Sequence, residues 1–124
     1  MEPPGKPLVG VVGPCGSGKS TLIRGLERYG YSCRHIAQEH SYAQAMWQII
    51  SKPDVLICLD VSFAVGTVRR RLVWNERDYL EQIRRLAHAR AHAHLIIDTD
   101  DLTPEQVLEK ALEFLNGLPA HSTF

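Results

Sequence analysis

Gly13-Pro14-Cys15-Gly16-Ser17-Gly18-Lys19-Ser20 fits the pattern G-x-x-x-x-G-K-[ST] at every position. Upstream, Leu8-Val9-Gly10-Val11-Val12 reads as a short buried strand; downstream, Leu22, Ile23, Leu26 and Tyr29 share one face of a helix that stops at Gly30. Strand, glycine-rich loop and helix in that order are the context in which such a loop holds phosphate. Glycines at 13, 16 and 18 free the backbone to approach an anion, and successive N–H groups then form a concave nest at the positive end of the following helix. Lys19 adds a charge able to reach β- and γ-phosphates, while the Ser20 hydroxyl is placed to ligate Mg²⁺. The stretch therefore predicts a site for a nucleoside triphosphate, ATP or another NTP, with Mg²⁺. The plainer alternative is a glycine-rich turn carrying a surface lysine. Cys15 fills a variable loop position, where the neighbouring helix N-terminus makes it a candidate for oxidation.

Outward from the loop, a chain of 124 residues is expected to form one domain with a single core, residues 1–7 and 118–124 being flexible tails. Fourteen basic residues balance fourteen acidic ones. That balance argues against nucleic acid or an anionic membrane as the main partner. Three cysteines, one in the loop and Cys33 and Cys58 in strand-like runs, suit a reducing cytoplasm better than a disulfide framework. Met1 to Pro7 has no apolar leader, and no segment is long enough to span a bilayer.

Helix and strand signals then alternate. Tyr31 to Ala37 reads as a second strand, polar enough at Arg34 and His35 to suit a sheet edge. Ser41 is expected to cap a helix running to about Ser51, with Tyr42, Ala45, Met46, Ile49 and Ile50 inward and Pro53 ending it. Val55 to Leu59 is a continuous apolar run before Asp60, the pattern of a central parallel strand. A third helix from near Ser62 carries Val65, Val68 and Leu72; Trp74 to Arg77 interrupts it, and a fourth runs from about Asp78 to Ala91 with Leu80, Ile83, Leu86 and Ala87 inward. Leu95 to Ile97 is the last strand. Thr103-Pro104-Glu105-Gln106 opens the final helix with an N-cap, a first-turn proline and a capping-box glutamine, and Gly117 closes it. Repeated strand–helix units imply right-handed crossovers, hence an α/β fold: a three-layer α/β/α sandwich around a four-stranded parallel sheet. The order 2-1-3-4 places the phosphate loop and the Asp60-Val61-Ser62 turn across one crevice.

With these segments in place, the chain resembles the P-loop kinases of small molecules, the group of thymidylate, cytidylate and shikimate kinases. Gly13 to Thr21 looks like their phosphate loop, and Pro53 to Ser62 looks like the strand before their lid. Arg69, Arg70, Arg71 and Arg77 lie where that lid begins. Ile97 to Glu105 is similar to the loop that borders their adenine. The resemblance implies a P-loop NTPase fold, ATP with Mg²⁺, and a kinase-like phosphotransferase or NTPase. It also implies that Gly13, Pro14, Cys15, Gly16, Ser17, Gly18, Lys19, Ser20 and Thr21 bind the nucleotide. Those kinases carry an acceptor-binding helical insertion between the first helix and the Pro-Asp strand, and here one strand and one helix fill that interval. The acceptor is therefore unknown, and a nucleotide-dependent switch read by a protein partner is the competing function.

Gln38-Glu39-His40-Ser41, expected beside the phosphate loop, offers a substitute for the missing catalytic parts. Glu39 can hold Mg²⁺ through water, and Glu39 or His40 can orient or deprotonate a nucleophile; the alternative is an ordinary polar turn. Asp60 is the rival metal acid. Consecutive arginines on a helix diverge, so of Arg69 to Arg71 at most two reach a phosphate, with Arg70 the candidate. Arg77, in the expected helix interruption, is better placed to swing onto a γ-phosphate and joins Lys19 and Glu39 as a catalytic candidate. Asp100, within Thr99 to Leu102, is the candidate at the adenine. Trp47 and Trp74 either stack on a base or pack. His88, His92 and His94 lack a third ligand in register or the glutamate of an H-E-x-x-H motif.

Overall fold

A computed structural model describes residues 6–71 and 73–118. Of the expected features, Leu72 on its helix stripe and the tail residues 1–5 and 119–124 lie outside these. The elements run β1 (Leu8–Val12), α1 (Lys19–Arg28), β2 (Ser32–His35), a 3₁₀ turn (Gln38–His40), a π-helical turn (Trp47–Ser51), β3 (Val55–Asp60), α2 (Phe63–Arg70), α3 (Glu76–His92), β4 (Leu95–Asp98) and α4 (Pro104–Asn116). All four strands are parallel, in the order β2-β1-β3-β4.

The apolar run of β3 is continuous because the sheet is covered on both faces. Val9, Val11, Ile57, Leu59 and Ile97 point to one side, where they meet Leu22 and Leu26 of α1 and Val107, Ala111 and Leu115 of α4. Val12, Leu56 and Cys58 point to the other and meet Leu86 and Ala89 of α3 together with Ile36 and Trp47. Helices on both faces fit a three-layer α/β/α arrangement. Strand β2, with Ser32, Arg34 and His35 exposed, lies at one edge as its polarity predicts. Among the described residues no helix is long and apolar enough to cross a membrane.

Two segments depart from the periodicity. The expected helix from Ser41 to Ser51 is absent: Tyr42, Ile49 and Ile50 are exposed and Trp47 is buried. The cause is Gln38, whose fully buried amide donates to the Ala43 carbonyl at 2.7 Å and accepts from the Trp47 N–H at 2.9 Å. Those two groups would bond each other in an α-helix. A glutamine inserted between them breaks the ladder, and only the π-helical turn forms beyond it.

The second departure concerns the charged connection after α2. α3 begins at Glu76, not Asp78, because Asn75 and Asp78 form a reciprocal capping box. Arg77 thus belongs to the first turn of a helix and not to an interruption. Leu80 and Ala87 are exposed, and Gln82, Leu86 and Ala89 form the buried stripe. Trp74, read as either stacking on a base or packing, packs against Phe63 and Tyr79 and donates its indole N–H to Thr67 Oγ1 at 2.7 Å. At the other end α4 opens with the Thr103–Gln106 capping box and Pro104 in its first turn, as read from the sequence. Lys6, in the expected N-terminal tail, donates to the Tyr29 carbonyl and lies over the Tyr31 ring; Leu118 packs on the core.

Candidate functional site

The loop leaves β1 at Gly13 and turns so that the Ser17 N–H donates to the Pro14 carbonyl at 3.1 Å. Gly16 has φ +86°, and a β-carbon there would lie 2.6 Å from the backbone of Gly66 in α2. This glycine serves the packing of loop on helix as well as the conformation of the loop. Gly18, at φ +95°, starts α1 from the left-handed region. Among the described residues no side chain caps α1, and its first turn carries no acid. The N–H groups at that end lack the usual capping oxygen, and together with the helix dipole they favour an anion.

Lys19 is buried, which an ammonium tolerates only when paired. Its Nζ donates to the Gly13 carbonyl at 2.7 Å and the Pro14 carbonyl at 3.3 Å, and lies 3.0 Å from Glu39 Oε2. Glu39 comes from the 3₁₀ turn after β2, and the sheet order sets that turn beside the loop because β2 pairs directly with β1. The Glu39 carboxylate is itself buried, and among the described residues neither its Oε1 nor Ser17 Oγ within the loop has a hydrogen-bond partner. The imidazole of His40 lies 3.8 Å from Glu39 Oε2 and 3.9 Å from Cys15 Sγ.

A cavity of about 460 Å³ opens over this group. Its floor is the loop from Cys15 to Thr21; Glu39 and His40 stand on one side, Arg69 and Arg70 on another, and Leu102, Pro104 and Val107 make an apolar wall. Seven of the nine loop residues read as nucleotide-binding line it, with Glu39 and Arg70. Gly13 is instead packed behind the loop, where a β-carbon would meet Leu59 O and Ser17 Oγ at 2.6 Å.

Four candidates lie elsewhere. Asp60, Asp100 and Pro14 line a separate crevice of about 700 Å³ against α3. Asp60 is engaged there by Arg90, whose Nη2 and Nε reach its two oxygens at 2.8 and 3.3 Å. The Asp100 carboxylate accepts the Ser62 N–H at 2.8 Å and so ties the β4 turn to the start of α2. Arg77 is exposed on α3 and lines neither cavity. Burial, joined by the charge of Asp60, pushes the Cys58 thiol beside this crevice up to about 12. Burial likewise raises Cys33, to about 11.

Three contributors escape the pattern reading. Arg69 at the end of α2 spans the cavity, donating to Gly16 O at 3.3 Å, to Thr99 Oγ1 at 2.9 Å and to the carbonyls of Thr99 and Asp100. Its signal was the triple arginine run, which does not say which member turns inward. Gln82, buried on α3, grips Cys15 from both sides, accepting from its N–H at 3.0 Å and donating to its Sγ at 3.3 Å. Gly66 admits Gly16. Neither Gln82 nor Gly66 carries a sequence signal. No protein-family model matches this chain, and no curated protein matches it.

Proposed function

We propose that this chain is a compact nucleotide-binding protein with the P-loop fold. It takes ATP or another nucleoside triphosphate with Mg²⁺ and acts as a kinase-like phosphotransferase or NTPase. The observation that carries the reading is Lys19, buried at the centre of the Gly13–Ser20 loop on two loop carbonyls and a carboxylate. An ammonium held on exchangeable acceptors beside an uncapped helix N-terminus is available to an incoming phosphate.

The donor set suits Mg²⁺. The Ser20 hydroxyl and the Glu39 carboxylate are hard oxygen ligands, and Glu39 has an acceptor in hand. When bound, that ion supplies charge neutralisation between the β- and γ-phosphates. The loop N–H groups hold the phosphate oxygens, and Lys19 exchanges carbonyl partners for phosphate. Arg69 and Arg70 close the opposite wall, and Leu102, Pro104 and Val107 offer an apolar surface to a flat base. Glu39 and His40 are the groups positioned to orient or deprotonate a nucleophile, whose identity stays open. Three free thiols favour a reducing, cytoplasmic setting.

A nucleotide-dependent switch is the second reading, favoured by the contact between Gly16 and Gly66, through which the loop bears directly on α2. Calorimetry with ATP and Mg²⁺, followed by phosphate release with and without a panel of nucleoside monophosphates and hydroxylated acceptors, separates the two. Binding with turnover supports the enzyme; binding without turnover under every condition supports the switch. Absence of heat at millimolar nucleotide refutes both.

A further inference from the structure

We propose that Cys15, Glu39 and His40 form a transition-metal site of the Zn²⁺ class at the mouth of the loop, distinct in chemistry from a Mg²⁺ site. One ligand atom from each side chain lies within 4.8 Å of the other two. The convergence has a specific form: the same imidazole nitrogen, His40 Nε2, is 3.9 Å from Cys15 Sγ and 3.8 Å from Glu39 Oε2. In a thiol–imidazole–carboxylate relay the sulfur and the carboxylate sit on opposite ring nitrogens. Donors gathered around one nitrogen instead surround a common point, as ligands do around a cation.

The spacing is close to what zinc requires. Bonds of about 2.3 Å to sulfur and about 2.0 Å to nitrogen and oxygen, at a tetrahedral angle, separate S and N by about 3.5 Å, and N and O by about 3.3 Å. Closing the two His40 separations takes about half an ångström, within reach of its exposed side chain, and Cys15 Sγ and the Glu39 carboxylate, within 4.8 Å, must draw together as well. A second observation points to a missing partner: Glu39 Oε1 is buried and has no hydrogen-bond partner among the described residues, while Oε2 holds Lys19. Lys19 opposes a cation here. It also rests on the Gly13 and Pro14 carbonyls, however, and keeps them if the carboxylate turns to the metal.

Ligand type sets the metal class. Thiolate with imidazole selects zinc over magnesium, which demands oxygen. Three protein ligands leave an open fourth position toward the cavity, the arrangement of zinc sites that take a water or an added ligand. Cys33 and Cys58 do not compete, being held as thiols by burial. On the nucleotide reading above, on which this one consequence rests, zinc would share Glu39 with Mg²⁺ and pin Cys15, so zinc and Mg²⁺–ATP should exclude each other.

The test is titration of the reduced 124-residue chain with Co²⁺, then Zn²⁺, without nucleotide. We expect a saturable thiolate-to-cobalt charge-transfer band that zinc abolishes. Cys15→Ser should remove the band, and His40→Ala should weaken cobalt binding at least about 10- to 100-fold. The double variant His88→Ala/His92→Ala should keep the band. If Cys15→Ser does not fold, alkylation of Cys15 in the wild type, slowed by zinc, reads the same contact. A band that persists in Cys15→Ser, alkylation indifferent to zinc, or no band at millimolar cobalt overturns the site. A parallel titration with Mg²⁺–ATP separates the failures: nucleotide heat without cobalt binding sinks only the zinc site, and cobalt binding without nucleotide heat sinks only the nucleotide reading.

Discussion

Lys19 and Glu39 form an ion pair 3.0 Å apart, with both side chains more than nine-tenths out of solvent. Removing one member of such a pair strands the other. Lys19→Ala should therefore abolish triphosphate binding and also lower stability by about 1–3 kcal/mol, because the buried carboxylate loses its ammonium partner. Adding Glu39→Gln to Lys19→Ala should recover most of the stability and none of the binding. Urea denaturation and calorimetry on both variants decide it; a double variant no more stable than the single would remove the pair from the argument.

Arg69 and Arg77 should behave oppositely. Arg69 crosses the cavity to Gly16 and Thr99, whereas Arg77 stands exposed in the first turn of α3. A charge-assisted contact of about 1.5–3 kcal/mol corresponds to roughly 10- to 100-fold in affinity. Arg69→Ala is expected to weaken nucleotide binding by that factor and Arg77→Ala to leave it nearly unchanged. A larger effect at Arg77 would restore the expectation that it swings onto the γ-phosphate.

Gly66→Ala sets two effects against each other. Alanine stabilises the interior of an ordinary helix by about 0.5–1 kcal/mol. Here the added β-carbon would come within 3.0 Å of the Cys15 carbonyl and push the loop. We expect the variant to be no more stable than wild type in thermal unfolding and to bind phosphate ligands more weakly. A raised melting temperature with unchanged affinity would show that the loop moves aside without cost.

Alkaline pH should destabilise the fold through Cys58. Its folded value is pushed from 9.0 up to about 12, chiefly by burial, so in that window the unfolded chain releases a proton that the folded chain keeps. The unfolded state then binds fewer protons, and stability falls as pH rises, by at most about 1.4 kcal/mol per pH unit for this thiol. Tyr31 and Tyr79, also raised by burial, act in the same direction. Denaturation midpoints at neutral pH and near about pH 10 should differ less in Cys58→Ala than in wild type. An equal drop in both proteins would assign the effect to Cys33, also raised by burial, and to the tyrosines.

The sheet was legible because its strands obey local rules. Val55 to Leu59 must be buried on both faces, β2 must lie at an edge, and the Thr103–Gln106 cap announces its helix. The helix expected after Ser41 failed because the residue that prevents it, Gln38, lies upstream of the window and acts through its side chain. Glu39 was readable once β2 was placed beside β1. Arg69 in preference to Arg77, and the grip of Gln82 on Cys15 across 67 residues, depend on where helices dock, which no local pattern encodes.

The two tryptophans sit at opposite ends of α3. Trp74 packs on Tyr79 near its start, and Trp47 donates to His88 at 3.1 Å and lies tilted against His92 near its close; about 14 Å of helix separates Tyr79 from His88. The molecule thus carries two unlike light emitters without any label. One indole packs on Phe63 and Tyr79 where α2 gives way to α3, and the other donates to one imidazole and lies beside a second. Single-tryptophan forms would turn one short domain into a two-channel optical instrument, with one channel following the junction of α2 and α3 and the other the histidines at the close of α3.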